Sequence, residues 1–216
     1  MSIETFAAPS RRGVLAGVAS LSLAGCSGNL IGPPTPAAQI YVLDPKFGPV
    51  AEAPNVPWQL VIGVPNAPAS LDTQRIALER APNTMDYFAN SEWTDRAPIL
   101  LQSLLVQAFE SSGRIATVGR ETAGIRADYV LETDIRDFEA FYTAPDTPPV
   151  VRVAIMAKLL NALTREVAAG MEFHKEAQTS VNNMASITAA FTQATGATIQ
   201  AIAAWALNQR LSKAAA

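Results

Sequence analysis

Histidine and cysteine are almost absent from this chain: His174 and Cys26 each stand alone among 216 residues. No disulfide can close within the chain, and no zinc-type cluster of cysteines and histidines can be assembled. The nucleophile elbow Gly-x-Ser-x-Gly is missing, as are Gly-x-Gly-x-x-Gly, a phosphate loop and His-Glu-x-x-His. Basic runs are missing too. The formal charge is −3, with lysine and arginine scattered along the chain, so nothing tracks a phosphate backbone and nucleic-acid binding is not expected. After Cys26 no apolar stretch approaches the ~20 residues that a helix needs to cross a bilayer.

What is present begins at the N-terminus. Arg11-Arg12 precedes a short apolar run from Gly13 to Ala24, which ends in Leu23-Ala24-Gly25-Cys26. A basic start, an apolar middle and a small-residue end are the parts of a secretory signal, and the middle is too short to span a membrane. Leu-Ala-Gly-Cys resembles the bacterial lipobox, which implies cleavage before Cys26 and attachment of acyl chains such as palmitate to its thiol and freed amine. Small residues before the cut fit a peptidase groove, and each buried CH2 of the anchor contributes about 0.8 kcal/mol. Ser-Arg-Arg-Gly-Val-Leu also resembles a twin-arginine signal, while an ordinary Sec signal fits equally. The expected organisation is a signal over residues 1–25, a lipidated tether over 26–38, and one domain over 39–216. Removing Glu4, Arg11 and Arg12 leaves a net charge of about −4.

Prolines 33, 34, 36, 45, 49, 54 and 57 make residues 27–57 read as a tether, interrupted by a short strand at Gln39–Asp44. Trp58–Val64 reads as a strand with Leu60, Ile62 and Val64 on one face. Gln74–Arg80 and Asp86–Glu92 read as a hairpin around Ala81–Thr84. Asp95 and Pro98 mark a helix start. Leu101, Leu104, Leu105, Ala108 and Phe109 form its buried stripe, Gln102, Gln107 and Glu110 its outer face, and Gly113 its end. A short strand follows at Ile115–Val118.

Asp128–Phe141 alternates clearly. Tyr129, Leu131, Thr133 and Ile135 share one face, and the phase shifts at Asp137-Phe138, which predicts a bulge. Val150–Leu163 has helix-favouring composition but alternating branched residues. It is read as a strand joined to a second, Val167–Ser180, near Thr164–Glu166. Asn183–Leu211 reads as a long helix with a stripe of Ile187, Phe191, Ala194, Thr198, Ile202 and Trp205. The fold expected is α+β: a mostly antiparallel, or mixed, sheet with two main helices packed on it.

Chemistry is hard to assemble from these parts. His174 falls on a strand beside Lys175 and Glu176 and reads as a surface residue. Asp128, Glu132, Asp134, Asp137 and Glu139 read as a solvated strand face rather than a catalytic or calcium-binding set. No enzyme activity, metal or cofactor is expected.

Tyr41-Val42-Leu43-Asp44, Leu60–Pro65, Leu71–Arg80, Met85-Asp86-Tyr87-Phe88, Trp93, Pro98, Tyr129-Val130-Leu131-Glu132 and the terminal helix follow one another along the chain. In these residues the chain, from Gln39 to about Leu211, resembles the ABC-type transport auxiliary lipoproteins. The resemblance implies a lipid-anchored periplasmic accessory of an ABC transporter. Its expected partners are an MCE-domain protein and the permease and ATPase subunits, with phospholipid or another apolar molecule as cargo. It implies no catalytic residue. Family members often sit on the outer membrane, and Ser27 rather than Asp after Cys26 fits that sorting. The rival readings are an envelope-assembly regulatory lipoprotein and a lipoprotein hydrolase, whose histidine would have to be His174. Phe138, Phe141 and Tyr142, crowded beside the loop Ala144–Pro149, are the candidate partner-binding residues, because aromatics at loop ends supply contact energy.

Overall fold

Strand β6 (Tyr129–Phe141) is the strand through which the rest of the sheet is joined. The computed structural model describes residues 37–50, 53–81, 83–144 and 146–213. The export signal, Cys26 and residues 27–36 of the expected tether lie outside the described residues. From Ala38 onward the chain forms one compact unit. On one edge β6 pairs antiparallel with β7 (Val150–Asn161), which pairs antiparallel with β8 (Val167–Gln178). The other edge of β6 is shared. Tyr129–Leu131 run parallel to β2 (Leu60–Ile62), which carries β5 (Val118–Arg120) parallel beyond it. Ala140 and Phe141 run parallel to β3 (Arg75–Ala81). Strand β4 (Thr84–Trp93) then adds antiparallel, and β1 (Gln39–Tyr41) adds parallel to β4.

Helix α1 (Ala97–Ser112) packs on β2 and β5, and α2 (Met184–Leu207) packs on β7 and β8; the two helices also touch each other. The result is the expected α+β fold, a single domain with two helices on an open, mixed sheet of eight strands. Its centre is aromatic. Trp93 meets Phe191 edge-on with ring centroids 5.1 Å apart, and Phe138 lies 5.2 Å from Phe191 and 6.0 Å from Trp93. Such pairs add about 0.5–1.5 kcal/mol beyond the area they bury.

Local chemistry explains most boundaries. The stripe Leu101, Leu104, Leu105, Ala108 and Phe109 is buried, and Gly113 ends α1 with a left-handed φ of 64°. Two details of α1 differ from expectation. Asp95 does not cap the helix: its Oδ1 accepts from the adjacent Arg96 N–H at 2.7 Å, and Arg96 is the capping residue without a side-chain cap bond. Gln102 points inward and is buried, because its Nε2 donates to the Ile62 carbonyl at 3.0 Å. That bond offsets the cost of burying an amide.

The alanine-rich β7 is a strand because Val151, Val153, Ile155, Ala157 and Leu159 alternate into the core, and tertiary packing overrides helix propensity there. At α2 the Asn183 side chain accepts from the Ser186 N–H at 2.9 Å, a true N-cap. Gly196, which weakens a helix by ~1 kcal/mol, has a packing reason: a Cβ there would sit 2.8 Å from Pro45. The proline-rich stretch after Asp44 is accordingly no free tether where it is described. Leu43, Pro45, Val50, Ala53 and Val56 are buried.

Candidate functional site

The expected bulge in β6 decides where its aromatic residues go. Ile135 pairs with Ile155, but Asp137 pairs with Ala154, so Arg136 is the extra residue. Before it Leu131, Thr133 and Ile135 point into the core; after it Phe138, Ala140 and Tyr142 belong to the hydrophobic core. One inserted residue exchanges the two faces of a strand.

Phe138, Phe141 and Tyr142 therefore do not form one exposed cluster. Phe138 is a core residue at 2% exposure, packed on Trp93 and Phe191. Tyr142 is buried as well, and its hydroxyl donates to Asn182 Oδ1 at 2.9 Å. Phe141, on the opposite face, is half-buried beneath Arg152, whose guanidinium carbon lies 3.4 Å from the ring centroid. Of the three, Phe141 is the one that presents surface.

Tyr142 also lines a cavity of about 340 Å³, together with Arg80, Phe88, Asp146, Asn182, Asn183, Met184 and Ile187. Three distant segments build it. The end of β3 and the body of β4 bring Arg80 and Phe88, the loop after β6 brings Tyr142 and Asp146, and the start of α2 brings the rest. Asp146 turns the loop with a left-handed φ of 60°, a conformation that a short polar side chain tolerates. Arg80 stands 5.2 Å from the Tyr142 ring centroid. Burial pushes the Tyr142 hydroxyl above its ordinary pKa, and the Arg80 charge opposes that shift. Sequence reasoning missed Arg80, Asn182 and the cavity itself. No local pattern marks them, because the chain brings them together only through the sheet.

On the other side of β6 the alternation predicts a solvated acidic face, but two of its carboxylates are buried. Asp128 is buried and accepts from the Gln59 N–H at 2.8 Å. Glu139 is 5% exposed, and its Oε2 accepts from the Phe138 N–H at 2.7 Å. Burial pushes the Glu139 carboxyl up to about 7. Asp137 and Glu79 add to the shift, and the Phe138 N–H and Arg152 oppose it. Arg152 faces Glu139 across the β6–β7 register, while its Nε lies 3.3 Å from Glu176. His174 is about half exposed on β8, 3.5 Å from Glu176, and does not line the cavity. Among the described residues no group of three or more His, Cys, Asp or Glu is placed to hold a metal ion.

An eight-stranded mixed sheet carries two helices, and a small cavity of mixed polarity lies between the end of β3, the loop after β6 and the start of α2. The family model of the ABC-type transport auxiliary lipoprotein component matches residues 41–203, and the chain belongs to that family. A crystal structure of a Xanthomonas campestris protein is similar at 33% identity, with a TM-score of 0.74, over 79% of this chain and 95% of that one. An uncharacterized protein of known structure shares the fold at 15% identity and a TM-score of 0.61, over 77% of this chain and 97% of that one. No curated protein matches the chain. Family membership makes this a lipoprotein of the cell envelope that is auxiliary to ABC-type transport.

Proposed function

We propose that the protein is the lipid-anchored, periplasmic accessory subunit of an ABC transporter that works with an MCE-domain protein. It docks that assembly against the membrane holding its acyl chains, so that phospholipid or another apolar molecule can pass. The observation that carries this reading is the family match over 41–203, with Leu23-Ala24-Gly25-Cys26 just ahead of it. Ser27 favours the outer membrane as the site of anchoring. Among the described residues no helix is long and apolar enough to cross a membrane. In this reading the protein acts without catalysis and without a cofactor. His174, the residue a hydrolase would need, is placed as a surface residue of a strand and away from the cavity.

Docking needs a surface. The end of the β6–β7 hairpin offers Phe141 stacked under Arg152, with the loop that carries Asp146 beside it. An aromatic ring held by a cation is pre-ordered, and little side-chain entropy is lost when a partner covers it. Phe138 and Tyr142 support this surface from behind rather than touching the partner.

Affinity capture of the lipidated protein from membranes tests the reading. MCE and permease subunits should be recovered with the wild type, and Phe141→Ala should lower that recovery at least several-fold while the protein stays folded. Recovery of cell-wall synthases in place of transporter subunits would overturn it in favour of an envelope-assembly regulator.

A further inference from the structure

Docking leaves the 340 Å³ cavity without a task. We propose that it binds the head of a monoanionic amphiphile: a phosphodiester or carboxylate at Arg80, with the first part of its apolar chain against Phe88, Met184 and Ile187. Arg80 is the first ground. Among the described residues no carboxylate forms an ion pair with Arg80, unlike Arg96, Arg152 and Arg165 with Asp72, Glu176 and Glu132, and Arg80 is the arginine that lines the cavity. Its guanidinium instead stands over the Tyr142 ring at the cavity wall, which leaves its N–H fork free for an oxyanion.

The lining is the second ground. Ile187 is 1% exposed and Phe88 and Met184 are half-buried, so the apolar wall is continuous with the core. The Tyr142 hydroxyl occupies Asn182 Oδ1, which turns the Asn182 amide into a donor for the same ligand. Size is the third: about 340 Å³ lies at the lower end of ligand pockets, enough for a head group and the start of a chain but not for a whole two-chain lipid. Asp146, also in the lining, adds a negative charge that disfavours a free dianion. The start of α2 is not the anion's partner, since Asn183 already caps it.

Binding is measured on this protein alone, so its failure leaves the docking reading standing, and the reverse also holds. The full-length chain carrying Cys26→Ser, to which no acyl chain can be attached at that position, is titrated calorimetrically with four probes below their aggregation concentrations. The probes are a dodecanoyl lysophosphatidylglycerol, dodecanoate, dodecyl maltoside and inorganic phosphate. The two anionic amphiphiles should bind at least tenfold more tightly than the maltoside or phosphate. Arg80→Gln should weaken them tenfold or more without affecting the maltoside, and Met184→Trp, which fills the apolar side, should weaken them as well. Circular dichroism and urea midpoints confirm that both variants are folded. Tighter binding of the diester identifies a phospholipid head, and tighter binding of dodecanoate a fatty acid. The proposal is overturned if phosphate binds as tightly as the amphiphiles, if Arg80→Gln changes nothing, or if no probe binds.

Discussion

The two faces of β6 are made by one strand and held by different physics. Toward the helices it presents Leu131, Ile135, Phe138 and Ala140, none more than 2% exposed, against Trp93 and Phe191. Away from them it presents Glu132, Asp134, Asp137, Glu139 and Phe141, tied to neighbours by pairs such as Arg165–Glu132 at 2.6 Å and Lys158–Asp134 at 3.3 Å. The inner face gains from burial, which has no direction and adds up over area. The outer face gains from directed contacts, most of them exposed and individually weak. Glu139 is the exception, a carboxyl on the polar side that is as buried as a core residue.

Removing the largest inner-face ring tests the contrast most severely. Phe138→Ala should destabilise the domain by about 3–5 kcal/mol, measured as a lower urea midpoint with unchanged slope. A cost under ~1 kcal/mol would mean that the aromatic centre is not what holds the sheet to α2.

Glu139 sharpens the comparison through pH. Its folded pKa is raised from 4.5 to about 7, so the native state keeps a proton that the unfolded chain has already released. Stability therefore falls as pH rises from about 4.5 to about 7, by on the order of 3 kcal/mol when the loss is complete. Glu139→Gln should flatten this dependence, so that the variant exceeds the wild type in stability at pH 8 and loses that advantage at pH 4. Urea midpoints at the two pH values measure it; equal slopes for the two proteins would place the carboxyl in water.

The smallest effect belongs to the exposed pair. Lys158→Ala should cost no more than about 0.5 kcal/mol, and the cost should vanish in high salt, because both side chains remain partly solvated. A thermal melt at low and high ionic strength decides it. A salt-independent loss above ~1 kcal/mol would move the Asp134–Lys158 pair to the side of Glu139.

Much of this structure could be read from residue order. The hairpin of β3 and β4 turns at Asn83, whose left-handed φ of 62° suits asparagine, within the expected Ala81–Thr84 turn. The α1 stripe, the Gly113 stop, the phase shift of β6 and the strand character of β7 all follow from spacing along one element. Gln102, Asp128 and Glu139 did not follow from it. Residue type alone puts polar side chains outside, but each of these is buried with a backbone partner, two of them more than 35 positions away along the chain. The bulge itself was visible, yet its effect on Phe138 and Tyr142 depended on what covers each face.

By itself, then, the sequence determined the periods, the stops, the missing catalytic motifs and the lipobox-like Leu-Ala-Gly-Cys, because each is a property of neighbouring residues. The tertiary structure alone decided the parallel pairings of β2 and β3 with β6, the fit of Pro45 against Gly196, and the gathering of Arg80, Tyr142 and Asn182 around one cavity. These join residues dozens to more than a hundred positions apart. Contacts of that range are fixed by which surfaces can close over one core, and no local pattern encodes that choice.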